Sequence, residues 1–173
     1  MKKYLILSLF TLSLFAHPHT FIDVYPTINI KDGKAQTIHF KWKIDEMTSS
    51  MLIMDVDSDG DGKINSKENR FIRDTYFTVF TEYNYYTHIK IDGKTIPFPQ
   101  TKNFKASIEN HRVCYSFDIE GDFDMKRTII EVGDSDFYVA MVLKQEFLSI
   151  KGMNAQATGV DNEFYYGYKV EFN

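Results

Sequence analysis

Residues 20–44 decide the fold class, and they read TFIDVYPTINIKDGKAQTIHFKWKI. The runs 20–30 and 37–44 are rich in β-branched and aromatic residues, which favour strands. Asp32-Gly33 lies between the two runs, and an Asp-Gly pair in this setting is a strong signal for a tight hairpin turn. The segment therefore predicts an antiparallel β-hairpin.

The rest of the chain repeats this pattern. A second pair, Asp92-Gly93, separates the short runs 88–91 and 95–98. Six further short runs, bounded by Gly, Asp or Asn, are predicted as strands: 104–109, 112–119, 127–132, 137–144, 147–151 and 165–172. Strands at such regular spacing are typical of a sandwich or a barrel. The predicted fold is mainly β, sandwich-like and α+β overall.

A helical insert is predicted at about residues 45–83, between the two groups of strands. Asp45–Asp55 and Ser66–Tyr83 carry apolar residues at spacings of three and four, which indicates helices. These residues are Met47, Met51 and Met54 in the first segment and Phe71, Ile72, Tyr76, Val79 and Phe80 in the second. We expect a helix–loop–helix unit of the EF-hand type, inserted in a single β-rich domain of residues 17–173.

The first 16 residues have the pattern of a secretory signal peptide. Lys2 and Lys3 precede an apolar run from Tyr4 to Phe15, and Ala16 precedes polar residues. This run is about a dozen residues long, whereas a membrane-spanning helix needs roughly 20. The sequence predicts cleavage after Ala16, a periplasmic location and no membrane anchor on the mature chain.

The charge balance and the cysteine content narrow the classes of partner. The chain has 20 basic and 24 acidic residues, and loss of Lys2 and Lys3 leaves 18 basic residues. An acidic surface argues against nucleic acid or anionic lipid as a partner. The single cysteine, Cys114, has no second cysteine in the chain with which to form a disulfide, so we expect a small buried side chain there. Stability then depends on packing and on bound metal.

Residues 57–68 read DSDGDGKINSKE, which matches the twelve-residue calcium loop of EF-hands. Calcium takes six to eight hard oxygen ligands, and a glycine at the sixth position allows the sharp turn. The predicted ligands are the side chains of Asp57, Asp59, Asp61 and Glu68, the carbonyl of Lys63, and Asn65 directly or through water. Only one such loop is present, so we interpret Ca²⁺ here as a structural staple rather than a switch.

The predicted mature N-terminus presents a second group of metal ligands. Cleavage after Ala16 leaves His17 with a free α-amine beside its imidazole. In an extended segment His17, His19 and Asp23 lie on one face, and nitrogen-rich sites suit Ni²⁺, Co²⁺, Zn²⁺ or Cu²⁺. Pro18 lacks an amide hydrogen, which argues against chelation through the backbone amides. We predict a transition-metal site at His17, His19 and Asp23.

The other histidines carry weaker signals. His39 and His88 fall in predicted strands, where a structural histidine is expected, and His111 falls at a predicted turn. An N-terminal histidine that chelates copper also occurs in oxidative polysaccharide-cleaving enzymes. The sequence lacks a nucleophile elbow, a phosphate-cradling glycine loop and a His-Glu-x-x-His motif. A non-enzymatic binding protein is therefore the favoured interpretation.

Several of these motifs together resemble a known family. They are His17-Pro18-His19-Thr20-Phe21-Ile22-Asp23, Lys41-Trp42-Lys43-Ile44-Asp45-Glu46, the Asp-rich loop and Asp134-Ser135-Asp136-Phe137-Tyr138-Val139. The chain resembles an uncharacterised family of bacterial periplasmic proteins often encoded beside, or fused to, nickel/cobalt permeases. The resemblance implies an accessory role in divalent-metal transport with an inner-membrane metal permease as partner. Where this family has a Tyr-Asp-Pro-like turn, the chain has Asp134-Ser135-Asp136, so we interpret these residues as a turn before a strand.

Two functions remain open at this point. The first is a periplasmic metal-binding accessory protein with a structural calcium site. The alternative is a calcium-stabilised adhesion or assembly module with no transition-metal role, because the calcium loop needs no second metal to account for it.

Overall fold

The computed structural model describes residues 19–136, 138–161 and 166–173. The predicted signal peptide, residues 1–16, and His17 lie outside these ranges. The described residues form two β-sheets and two α-helices. The strands are β1 (Thr20–Asn29), β2 (Lys34–Ile44), β3 (Thr87–Ile91), β4 (Lys94–Thr95), β5 (Thr101–Glu109), β6 (Arg112–Asp124), β7 (Thr128–Asp134), β8 (Val139–Val142), β9 (Ser149–Lys151), β10 (Ala155–Asp161) and β11 (Tyr166–Phe172), and the helices are α1 (Glu46–Val56) and α2 (Ser66–Ile72).

The first sheet is built around the predicted N-terminal hairpin. Its strand order is β5-β6-β2-β1-β8, and β9 also pairs with β1. β1 and β2 are antiparallel, with Val24 opposite Trp42. β8 and β9 pair in parallel with successive parts of β1, where Phe21 lies opposite Ala140 and Ile28 lies opposite Ile150. The hairpin therefore supplies two interior strands of this sheet.

The second sheet has the order β10-β11-β7-β3-β4. Its hairpin β3–β4 is centred on Asp92-Gly93, as predicted, but β4 contains only two residues. The predicted strand over 95–98 is wrong beyond Thr95. Pro97 provides the physical reason, because a proline has no N–H to donate to a strand ladder.

The two Asp-Gly turns share a left-handed backbone. Asp32 and Gly33 have φ of 53° and 77°, and Asp92 and Gly93 have φ of 52° and 73°. Two successive residues with positive φ are what a two-residue hairpin turn of the favoured hand requires. The sequence prediction of both hairpins is confirmed.

Both sheets contribute to one buried cluster. Ile22, Val24, Phe40 and Trp42 come from the first sheet, and Ile130 comes from the second. The ring of Trp42 packs edge-on against Phe117, with 5.1 Å between ring centroids. Cys114 is fully buried, as predicted, and burial raises the pKa of its thiol. The mainly β class with two sheets is confirmed.

The helical region differs from its prediction. α2 ends at Ile72, a π-helical turn covers 73–77, and a 3₁₀ stretch covers 78–86 with left-handed Asn84 and Tyr85 inside it. The predicted helical character through Tyr83 is therefore present, but not as one α-helix, and a pair of full helices of the EF-hand type is not evident in the described residues. β-branched and aromatic residues such as Thr75 and Phe77 have lower helix propensity than the Lys, Glu and Arg residues of α2.

The apolar stripe of α1 faces solvent. Met47, Met51 and Met54 are exposed, and the buried residues of this helix are Ser49 and Val56. The spacing predicted the helix correctly and did not identify the face that packs on the sheet. None of the helices in the described ranges has the length and apolar character needed to cross a membrane.

Candidate metal centre

The acidic loop between α1 and α2 brings three predicted ligands together. Asp57 follows the last residue of α1, and its N–H donates to the carbonyl of Ile53 at 3.0 Å. One carboxylate oxygen from each of Asp57, Asp59 and Asp61 lies within 4.8 Å of the other two. Such spacing is short enough for a single ion to contact all three carboxylates.

Backbone hydrogen bonds hold these carboxylates in place. The N–H of Gly62 donates to Oδ2 of Asp57 at 2.9 Å, and the N–H of Lys63 donates to Oδ1 of Asp61 at 2.8 Å. Gly62 has φ of 75°, a left-handed conformation that glycine adopts without a side-chain clash. These backbone donors therefore curl the loop around its own carboxylates.

Glu68 closes the loop from the side of α2. Its Oε1 accepts from the N–H of Ser58 at 2.7 Å and from the hydroxyl of Ser58 at 2.8 Å, and its Oε2 accepts from the N–H of Asn65 at 3.0 Å. The hydrogen bond from the N–H of Asn65 contributes most, and together these bonds lower the pKa of the buried Glu68 carboxyl. Glu68 is thus ionised at neutral pH and joins the two ends of the loop.

Asn65 serves both the helix and the loop. Its Oδ1 caps α2 by accepting from the N–H groups of Lys67 and Glu68, while its Nδ2 donates to Asp59 at 3.2 Å. The predicted ligand role for Asn65 thus falls on a side chain already engaged as a helix cap. Ser58 is a further site residue that we did not predict, because position two of the loop motif is variable.

The second predicted site is only partly described, since His17 lies outside the described residues. His19 donates its N–H to the carbonyl of Tyr138 at 2.9 Å, and its ring stacks on the ring of Tyr138 at 5.9 Å between centroids. The carboxylate of Asp23 instead accepts from Nη2 of Arg112 at 2.8 Å. Asp23 lies four positions after His19, which is about 13 Å along an extended strand. The described residues therefore do not bring the Asp23 carboxylate to His19.

None of the remaining described histidines belongs to the group of Asp57, Asp59 and Asp61. His39 on β2 contacts Asp118 at 2.6 Å through Nδ1. His88 on β3 is half-buried, and burial lowers its pKa. His111 is exposed and left-handed in the turn between β5 and β6, as predicted.

Asp134 shapes the turn that precedes β8. Its side chain is buried and accepts from the N–H groups of Asp136, Tyr138 and Val139 at 2.9–3.0 Å. The interpretation of this segment as a turn before a strand is confirmed. Because the turn positions Tyr138, the carboxylate of Asp134 also places the ring and carbonyl that contact His19.

Comparisons with known proteins give a family and no activity. Residues 3–160 match a family described as "Protein of unknown function (DUF1007)". An "Uncharacterized protein" of Haemophilus influenzae is 26% identical over 148 residues, which are 82% of this chain and 70% of that protein. An "Uncharacterized 15.5 kDa protein in trpE 3'region" of Spirochaeta aurantia is 35% identical over 66 residues, which are 38% of this chain and 47% of that protein.

Proposed function

This chain belongs to the DUF1007 family of proteins of unknown function, and from its own residues we propose that it is a periplasmic metal-binding accessory protein. In this proposal Ca²⁺ occupies the loop of residues 57–68 as a structural ion. A transition metal binds at the mature N-terminus for exchange with a permease in the inner membrane.

The arrangement of Asp57, Asp59 and Asp61 carries the calcium proposal. Three carboxylates within 4.8 Å of one another repel each other, and a hard divalent cation offsets this repulsion. Glu68 is held ionised at the closing position of the same loop. The Lys63 carbonyl, Asn65 and water supply the remaining ligands of the six to eight oxygens that Ca²⁺ takes, as in EF-hand loops.

The attachment of the two helices supports a structural role for calcium. α1 is held to β6 by Ser49, whose hydroxyl accepts from the N–H of Val113 at 2.9 Å. α2 is held to β5 by Asn69, whose Oδ1 accepts from the N–H of Ala106 at 2.7 Å. An ion shared by Asp57 and Glu68 therefore ties two helices that are already fixed on the sheet.

Calcium titration into chelator-treated protein tests this site. We expect one Ca²⁺ per chain, and a Glu68→Gln variant that binds at least about tenfold more weakly, since it loses the closing carboxylate. Glu46→Gln, at the exposed first turn of α1, is the matched control and should bind like the wild type. Equal affinity in wild type and Glu68→Gln would contradict the proposed ligand set.

The transition-metal part of the proposal rests on the chemistry of His17 and His19. A free amine and two imidazoles are nitrogen ligands suited to Ni²⁺, Co²⁺, Zn²⁺ or Cu²⁺. The backbone N–H of His19 donates to the carbonyl of Tyr138, and the His19 ring stacks on the Tyr138 ring, which supports a fixed position for this ligand. Because Asp23 forms an ion pair with Arg112, the proposal assigns Asp23 no direct bond to the transition metal.

Calorimetric titration of Ni²⁺, with Cu²⁺ and Zn²⁺ as comparisons, tests the N-terminal site. The protein is saturated with Ca²⁺ and purified with His17 confirmed by mass as its first residue, beside a form extended by one N-terminal methionine. One-to-one binding that is lost in the extended form supports the proposal. No binding in either form overturns it and leaves the calcium-stabilised adhesion or assembly module.

The permease partner follows from the resemblance described above and from the predicted export. Its test is metal accumulation by cells that carry the permease, with and without this chain. We expect lower transport when the chain is deleted and recovery with the wild type. A His19→Ala variant that restores transport fully would contradict delivery through the N-terminal site.

A further inference from the structure

The methionines of the described residues differ in exposure, and Met153 is partly buried. Met47, Met51 and Met54 on α1 are 66%, 57% and 81% exposed. Met125 and Met141 are buried, at 0% and 1% exposure. Within the described residues, the exposed methionines thus lie on one helix of eleven residues.

The three exposed side chains form a stripe, which we call the methionine stripe: Met47, Met51 and Met54. Met47 and Met51 are four residues apart, and Met51 and Met54 are three apart. Each of these two pairs therefore has its Cβ atoms about 5–6 Å apart on one helix face. Met51 occupies the middle of the stripe. Because a methionine side chain has three rotatable bonds, the outer two sulfurs are able to reach an ion held over Met51.

Packing does not account for the stripe. The opposite side of α1 carries Leu52, Ile53 and Val56, which contact the buried cluster of the domain. Ser49 fixes the same side to β6. The helix therefore already has its buried face, and the methionine stripe projects into solvent from a backbone that is held in place.

We propose that the methionine stripe binds one soft monovalent cation, Cu⁺, through the three thioether sulfurs. Thioethers are soft ligands that select Cu⁺ over the hard and borderline divalent ions. They are also uncharged and do not titrate, so binding needs no proton release. Glu46 and Asp55 are exposed on the same helix, one before Met47 and one after Met54, and add negative charge to it.

This site is separate in chemistry from the two proposed above. Carboxylates of the loop 57–68 favour Ca²⁺, and the nitrogens of His17 and His19 favour divalent transition metals. The methionine stripe depends on neither set of residues. Its failure would leave the proposed function intact, and loss of the N-terminal site would leave the stripe intact.

Silver titration followed by NMR tests the proposal, because Ag⁺ is a soft monovalent ion that resists redox change. The protein is labelled with [methyl-¹³C]methionine and carries Cys114→Ser, so that the thiol does not compete. We expect the methyl signals of Met47, Met51 and Met54 to shift at one equivalent of Ag⁺, while those of Met125 and Met141 remain in place. Unshifted stripe signals at saturation would overturn the proposal.

Affinity for Cu⁺ is then measured under anaerobic, reducing conditions by competition with a chromophoric Cu⁺ chelator. A triple variant with Met47→Leu, Met51→Leu and Met54→Leu keeps the apolar area and removes the sulfurs. It should bind at least about tenfold more weakly than the Cys114→Ser parent. Met153→Leu, a single change at a partly buried methionine, should bind like the parent. Equal Cu⁺ affinity in the triple variant would overturn the thioether site. This conclusion holds whether or not the apolar area of the stripe binds another protein.

Discussion

The hydroxyl of Ser49 in α1 accepts a hydrogen bond from the backbone N–H of Val113 in β6 at 2.9 Å, and both residues are fully buried. The same hydroxyl donates to the carbonyl of Ile44 at 3.1 Å. One serine therefore satisfies two backbone groups at the point where the helix meets the first sheet. This contact fixes the helix that leads into the acidic loop.

Replacement of Ser49 by alanine should be costly. It leaves the buried Val113 N–H without its hydrogen-bond partner, and such a group costs about 1–3 kcal/mol. The Ile44 carbonyl keeps a second hydrogen bond, from Nε of Arg112 at 2.6 Å. We expect the free energy of unfolding, measured with a chemical denaturant, to fall by about 1–3 kcal/mol. Ser50→Ala is the matched control, since Ser50 is exposed and bonds only within its helix. Equal stability of the two variants would contradict this role.

Asp45 should stabilise the start of α1 in a pH-dependent manner. Burial opposes ionisation of its carboxyl, but hydrogen bonds from the N–H groups of Thr48 and Phe21 outweigh this effect and lower its pKa. A lowered folded pKa means that the stabilisation is present above the unfolded value of about 3.9 and is lost as the pH falls through the folded pKa.

Two variants separate capping from charge at Asp45. Asp45→Ala should cost about 1 kcal/mol at neutral pH, as is typical for loss of a helix cap. Asp45→Asn should keep most of the cap, and the advantage of the wild type over it should vanish as the pH falls below about 4. Denaturant unfolding at several pH values measures both effects. A constant gap between wild type and Asp45→Asn across this range would refute the ionised cap.

Gly167 should not tolerate a side chain. A Cβ at this position would lie 2.0 Å from the carbonyl oxygen of Val132 in the neighbouring strand β7. Since backbone must move to relieve this clash, Gly167→Ala should destabilise the protein by at least about 1–3 kcal/mol. Gly159→Ala in β10 meets nothing within 4 Å and is the control. Thermal unfolding should show a lower midpoint for Gly167→Ala alone.

Removal of calcium should lower the stability of the whole domain. An ion that binds only the folded state stabilises it by about 1.4 kcal/mol for each tenfold rise in free concentration above the dissociation constant. Thermal unfolding at a series of calcium concentrations should show this dependence. Asp59→Asn should weaken it, whereas Asp32→Asn, a change of equal charge in the β1–β2 turn, should leave it unchanged. A thermal unfolding midpoint that does not change with calcium concentration would argue against the structural ion.

Local chemistry explains which elements could be predicted from the sequence. Asp32-Gly33 and Asp92-Gly93 determine their turns through their own backbone preferences, so both hairpins were predictable. β10 was not predicted, because residues 155–161 read AQATGVD, in which Ala, Gly and Asp are poor strand formers. Pairing with β11 stabilises this strand, and such a partner is not visible in local sequence.

The candidate site also has parts that could be predicted from the sequence and parts that could not. The loop motif predicted the proximity of Asp57, Asp59 and Asp61, because the ligands are near one another in sequence. The engagement of Asp23 with Arg112 was not predictable, since 89 residues separate the two and only the sheet register brings them together. The exposure of Met51 also depends on which side of α1 meets the sheet, a property that helical spacing does not determine.

The parallel pairing of β1 with β8 and β9 has a consequence for the order in which the protein folds. β1 lies near the start of the chain, yet its partners on one edge begin at Val139 and Ser149. These pairings raise the contact order, and closing so long a loop costs chain entropy before the contacts repay it. A nascent chain that lacks its last third holds β1 with one edge unpaired. The domain is therefore expected to complete its first sheet only after synthesis has nearly ended.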